Sequence, residues 1–164
     1  MPGSGKSTVA KAAAKQLDLP YADCDQAIER RAGCSIATFF DRYGEAAFRD
    51  LEQEVVRMLV EEPVSVIATG GGIVLRQQNR ELLRARTRCV YLRADHDLLW
   101  RRLRRDRRRP LLQVADPEQR LRDMSVERGP LYEQTASIVI DTDGLSFDRL
   151  VQEVVQRVQS DAPR

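Results

Sequence analysis

Apolar positions near the end of the chain give the simplest reading. Phe147, Leu150, Val151, Val154, Val155 and Val158 recur at spacings of three and four, one stripe along a helix. Ala47, Phe48, Leu51, Val55, Met58 and Leu59 draw a second stripe, and Pro63 stops it. Shorter segments of helical type cover residues 8–17, 26–31, 36–43, 79–86, 96–103 and 117–128. Ser35, Asp95 and Asp116 stand where side-chain caps belong, with Pro117 at a first helical position. Gly33, Gly44 and the pair Gly129-Pro130 are the expected stops. Between these segments lie short apolar runs of strand type, over residues 19–25, 64–68, 88–92 and 137–141. Strand and helix alternate throughout, which predicts an α/β fold with a parallel sheet covered on both faces.

Composition narrows this picture. The 164 residues are 42% apolar, enough for one globular domain spanning 1–164. A net charge of +2 gives no bulk electrostatic case for nucleic acid. Lysine occurs only at Lys6, Lys11 and Lys15, so a general preference for arginine accounts for the arginine clusters. Cys24, Cys34 and Cys89 are widely spaced and odd in number, the usage of reduced thiols in a cytoplasmic protein. No apolar run approaches the ~18–20 residues that would cross a bilayer. No secretory leader is expected either. There is no internal repeat.

The chemistry begins at the first residues. Gly5-Lys6-Ser7 closes a phosphate-binding loop of pattern G-x-x-x-x-G-K-[ST], whose first Gly would fall one residue before Met1. Glycines let backbone N–H groups curl around phosphate oxygens, Lys6 adds positive charge, and the Ser7 hydroxyl suits Mg²⁺. The helix that follows aims its positive end at the same phosphates. Taken alone, the stretch also reads as a Gly-Ser loop with an incidental lysine.

Further along, Asp23 and Asp25 close a strand and face the same way on an extended chain. They read either as groups for a metal and a substrate hydroxyl or as an Asx-type helix cap, and Asp25 suits both tasks. Arg49 lies beside the apolar stripe, where a solvated helix residue is the plain reading. Gly70-Gly71-Gly72 directly follow a strand, which makes sense where a backbone must come very close to a ligand. The stretch from Arg104 to Pro110 is strongly basic but lacks the interleaved aromatics of a nucleic-acid groove. A loop folding over a triphosphate suits it better. His96, the only histidine, is assigned no chemistry and no metal.

Four stretches together resemble the shikimate kinase family along nearly the whole chain. They are Asp23-Cys24-Asp25 with Ile28-Glu29; the run from Ser35-Ile36 through Phe39-Phe40, Gly44-Glu45 and Phe48-Arg49 to Glu52; Ala68-Thr69-Gly70-Gly71-Gly72 with Val74; and Arg109-Pro110-Leu111-Leu112 with Arg128-Gly129-Pro130-Leu131-Tyr132. The resemblance implies a P-loop kinase, a three-layer α/β/α fold with a mobile lid at about 105–117. It implies transfer of the ATP γ-phosphate to the 3-hydroxyl of shikimate, in the route to chorismate and the aromatic amino acids. It further implies that Gly3, Ser4, Gly5, Lys6, Ser7 and Thr8 bind the ATP phosphates. Ser7 then sits on Mg²⁺, with Asp23 reaching the metal through water. Asp25 meets the shikimate hydroxyls as the base, Arg49 and Arg128 hold its carboxylate, and Gly71, within Gly70–Gly72, offers backbone N–H groups. Lys6 and Arg109 join Asp25 as catalytic residues, and Arg102 stacks on adenine. Residues 143–146 carry no proline where family members often place one against the adenine.

A monomer is expected, with no nucleic-acid or membrane partner. Gluconate-kinase-like activity, or a non-catalytic ligand-binding domain of this family, are the alternatives. The family's leading strand, central in its sheet between strands 64–68 and 88–92, is absent from this chain. The expectation is a natural start several residues upstream. Made from Met1, the chain is expected to fold or work poorly, and about eight apolar-rich residues ending in Gly before Met1 to restore both.

Overall fold

The computed structural model describes residues 1–104 and 114–160. In chain order it contains α1 (Lys6–Leu17), β1 (Tyr21–Asp23), α2 (Cys24–Ala32), α3 (Ile36–Glu61) and β2 (Val66–Ala68). A 3₁₀ turn (Ile73–Leu75), α4 (Gln77–Arg86), β3 (Val90–Arg93) and α5 (His96–Leu103) follow. The last elements are α6 (Pro117–Thr135), β4 (Ile138–Asp141) and α7 (Phe147–Ser160). Each element lies where the hydrophobic pattern placed one, though the strands are shorter than the apolar runs.

All strand pairing is parallel. β1 pairs with β2 in the register Tyr21–Val66 to Asp23–Ala68, and β3 pairs with β4 from Val90–Ile138 to Arg93–Asp141. Among the described residues no strand joins β2 to β3, so the sheet appears as two pairs. The core is likewise in two parts. One gathers Met1, Cys24, Ile28, Phe48, Val55, Val56, Leu99, Leu121, Met124 and Tyr132. The other joins Val9 and Ala13 of α1 to Leu92, Ile138, Ile140 and the α7 stripe.

Two expectations need correction. The first strand does not run to residue 25. It stops at Asp23, whose carboxylate caps α2 by accepting from the Gln26 N–H at 3.2 Å. Asp23, not Asp25, is therefore the cap, and Asp25 lies in the first turn of α2. The helical span α3 does break at Gly44 as expected, where φ is 78° and ψ 176°, so it is two helices meeting at that residue. Gly129-Pro130 does not end α6. Proline removes the donor for the Val126 carbonyl, but Val126 lies on the exposed side, where that carbonyl is open to solvent. Gly129 has no Cβ to clash with the proline ring. Burial of Tyr132 and Thr135 rewards continuing the helix. In α7, Leu150, Val151 and Val154 are buried, while Phe147 is half exposed.

Candidate active site

The loop before α1 is shaped to hold something small and negative. Gly3 and Gly5 have φ of 78° and 81°, values that leave N–H groups turned inward and exclude most side chains. No side chain caps the start of α1, so its first N–H groups and its positive end are open to a ligand. Ser7 and Thr8 are exposed there. Lys6 folds back onto the loop, donating from Nζ to the Met1 carbonyl at 2.6 Å and to Ser4 Oγ at 3.5 Å. Ser4 is buried and donates to the same carbonyl at 3.0 Å, so the loop is braced from within. α5 closes its outer side. A Cβ at Gly3 would fall 2.8 Å from Leu103 Cγ, and Arg102 Nη1 donates to the Gly3 carbonyl at 3.2 Å.

Beside this loop, Tyr21 gathers the two groups assigned to a metal. Its phenol donates to Asp23 Oδ2 at 3.0 Å, and the Ser7 hydroxyl is within hydrogen-bonding reach of the Tyr21 phenol oxygen. Burial, and then Asp23, raise the Tyr21 pKa. Among the described residues no group of three or more His, Cys, Asp or Glu side chains is placed to cage a metal. A hydroxyl and one carboxylate fit Mg²⁺, which keeps waters and takes most of its ligands from substrate phosphates.

The second half of the site is built around the glycine run. Each glycine makes room for a different polar side chain. A Cβ at Gly70 would meet Asp25 Oδ1 at 2.9 Å and Glu52 Oε1 at 3.5 Å. At Gly71 it would meet the Tyr132 hydroxyl at 3.2 Å, and at Gly72 the Arg49 guanidinium, with Cζ at 2.7 Å. Arg49 and Glu52 are one turn apart on α3 and both buried, joined from Nη1 to Oε2 at 2.8 Å. Glu45 accepts from Arg49 Nη2 at 3.0 Å on the exposed side. The plain reading of Arg49 as a solvated residue is thus overturned. It is only 7% exposed, because the missing Cβ of Gly72 lets the guanidinium lie on the backbone.

Arg128 enters from α6. It is 3% exposed, and its Nε has no hydrogen-bond partner. A buried donor left unpaired is costly, so an oxygen of a bound anion is its natural complement. The Arg128 side chain is also in hydrogen-bonding reach of Tyr132, whose hydroxyl donates to the Gly71 carbonyl at 2.5 Å. Burial pushes the Tyr132 phenol up to about 12. Burial likewise raises the Glu52 carboxyl, although Arg49 pulls the other way. Cys24, fully buried beneath Asp25, has its thiol pushed far up by burial and by Glu52, so it is not a nucleophile.

The structure therefore brings together Asp25, Arg49, Gly70, Gly71, Gly72 and Arg128 in one place. Gly3, Ser4, Gly5, Lys6, Ser7 and Arg102 form another, and the Gly71 turn touches Met1 and Pro2 across the boundary. Arg109 and most of the lid expected at 105–117 lie outside the described residues. Residues 143–146 lie beside the start of α5, where Asp143 accepts from the Asp95 N–H at 3.2 Å. Reasoning from sequence gave no role to Tyr21, Glu52 or Tyr132. A signal existed for Glu52, an acid three residues after Arg49 on a helix. For Tyr132 the available signal was its place in the Arg128–Tyr132 stretch, four residues after Arg128.

The comparisons with known proteins agree with this geometry. Residues 2–159 match the family model for shikimate kinase. A shikimate kinase of Paracidovorax citrulli is 49% identical over 162 residues, covering 97% of this chain and 88% of that protein. A solved shikimate kinase from Acinetobacter baumannii, in complex with shikimate, superposes with a TM-score of 0.93 at 39% identity, covering 99% of this chain and 92% of that one. The shikimate kinase of Aquifex aeolicus superposes at 0.83 with 30% identity, covering 97% and 92%.

Proposed function

The chain belongs to the shikimate kinase family, and we propose on that premise that it transfers the γ-phosphoryl group of ATP to the 3-hydroxyl of shikimate. The observation that carries this is the ring of charge around the glycine turn. Arg49 and Arg128 are buried cations, the Arg128 Nε having no hydrogen-bond partner and Glu127 standing 4.0 Å from it, and Asp25 faces the same turn. That set fits a small ring bearing one carboxylate and several hydroxyls. The two arginines fork onto the carboxylate and orient the ring. Asp25 accepts the proton from the attacking hydroxyl. The Gly3–Thr8 loop and the open end of α1 cradle the phosphates, and Lys6 exchanges its Met1 carbonyl for phosphate oxygens. Arg102, already at the Gly3 carbonyl, lies against the adenine. Arg109 is given its place over the phosphates on the resemblance alone.

Ser7, with Asp23 through water, would hold Mg²⁺, which would supply charge neutralisation at the phosphates. What remains for the protein is alignment of the hydroxyl with the phosphoryl group, the dominant demand of this reaction. The three unpaired cysteines suit a reducing compartment, so we place the enzyme in the cytoplasm, working as a monomer. Coupled ADP release measured with shikimate and then with gluconate tests the reading. Turnover with shikimate alone supports it, preference for gluconate shifts the substrate, and no turnover with either makes the domain non-catalytic.

A further inference from the structure

We propose that Tyr132 is a positioning residue, whose hydroxyl holds the Gly70–Gly72 turn and Arg128 in the geometry that receives the acceptor substrate. The inference rests on the reading of that turn and of Arg128 as the shikimate site. Tyr132 follows Arg128 by four residues, so both side chains leave the same face of α6. They do so only because the helix continues past Pro130. The phenol donates to the Gly71 carbonyl at 2.5 Å and lies within hydrogen-bonding reach of Arg128. One oxygen thus ties a residue of the carboxylate clamp to the turn it faces.

The turn needs such a tie. Three consecutive glycines have the widest choice of backbone conformation of any sequence. Fixing the Gly71 carbonyl sets the plane of the Gly71–Gly72 peptide. Because that peptide is trans, it also sets the opposite direction of the Gly72 N–H. The ring of Tyr132 is itself immobilised. It is 7% exposed and stacks on Tyr91 of β3, with centroids 5.0 Å apart and planes at 27°. The stacking supports the ring, while the hydroxyl's own bonds to the Gly71 carbonyl and Arg128 set where the oxygen sits. Its two partners are groups that meet substrate, not groups that only hold the fold together.

Tyr132→Phe separates these parts, because it keeps the ring and its stacking and removes only the oxygen. The expected result is a shikimate KM raised about tenfold, with kcat and the KM for ATP each within about threefold of wild type. The melting temperature should stay within a few degrees. Tyr91→Leu is the complementary variant, removing the stacked ring without touching the hydroxyl. It should lower the melting temperature and leave the shikimate KM within about twofold. The proposal is overturned if Tyr132→Phe moves the shikimate KM by less than about twofold, or moves both KM values equally. It is also overturned if Tyr91→Leu raises the shikimate KM as Tyr132→Phe does, since ring packing alone would then account for the effect. A wild-type protein that does not phosphorylate shikimate removes the functional reading and this inference together. An active wild type with an indifferent Tyr132→Phe removes only the inference.

Discussion

Replacing Gly72 by alanine should damage substrate binding far more than the addition of one methyl group implies. The backbone there has φ −84° and ψ −8°, a conformation any residue adopts, so the substitution introduces no backbone strain. Only space is at issue. The new Cβ would lie 2.6 Å from Arg49 Nη2 and 2.7 Å from Cζ, with Nη1 nearer still. Ordinary contact begins about 3.5 Å away, so the guanidinium must retreat by roughly 1 Å. It has little freedom to do so, being buried, bonded to Glu52 at 2.8 Å and seated 5.1 Å from the Phe48 ring centroid. Overpacking of this kind costs typically about 1–3 kcal/mol. A displaced Arg49 also loses its charge-assisted bond to the substrate carboxylate, worth about 1.5–3 kcal/mol. The shikimate KM should therefore rise about ten- to a hundredfold, with the KM for ATP nearly unchanged. Coupled ADP release at saturating ATP, with shikimate varied, measures the first effect, and a thermal melt measures the overpacking. A Gly72→Ala protein matching wild type in both shikimate KM and melting temperature would refute the packing account of the glycine run.

Asp25→Asn should lower kcat by about 10²–10⁴-fold while ATP binding stays near normal, because an amide does not accept the hydroxyl proton. Retention of more than about a tenth of the rate removes Asp25 as the base. Arg49→Ala and Arg128→Ala should each weaken shikimate binding strongly with little effect on nucleotide, as read by calorimetry or by fluorescence of Trp100. Unchanged affinity in both would sink the carboxylate clamp. The last prediction concerns pH. Burial holds the Glu52 carboxyl above its unfolded value, with Arg49 only partly offsetting it. A carboxyl raised in the folded state contributes stability that is complete below its unfolded pKa of about 4.3 and lost as pH rises through the folded value. Urea unfolding should show Glu52→Gln gaining on wild type as pH rises from about 4 to 7. A variant that instead falls further behind over that range shows the carboxylate form to be the stabilising one.

Much of this was legible in the chain before any coordinates. The α7 stripe and the Asp95 cap of α5 are local signals, and the structure places both elements where those signals put them. The Gly70–Gly72 run announced close approach without revealing to what, because its three neighbours come from α2, α3 and α6, distant in sequence. Arg49 looked solvated for the same reason. Its burial depends on a glycine 23 residues away, which no helical period reports, as well as on Glu52 one turn along. Asp23 and Asp25 were read as sharing one face of a strand, when the spacing from Asp23 to Gln26 is that of a cap and its third helical residue. Pro130 was a true breaker signal that burial further along α6 outweighed.

The division of the core into two parts has a mechanical consequence. Val9 and Ala13 anchor the phosphate-loop helix in one part, while the residues around the glycine turn stand on elements packed in the other. With the roles proposed above, donor and acceptor would meet where the two parts join, a seam that α1 spans by packing on both β2 and α7. The loop itself stitches that seam, with Met1 and the Leu103 contact of Gly3 on one side and the body of α1 on the other. Play of a single ångström along it would be felt as misalignment of the attacking oxygen, which is enough to slow such a transfer about a hundredfold. With those roles, stiffness at this suture is what would keep the attacking oxygen in line.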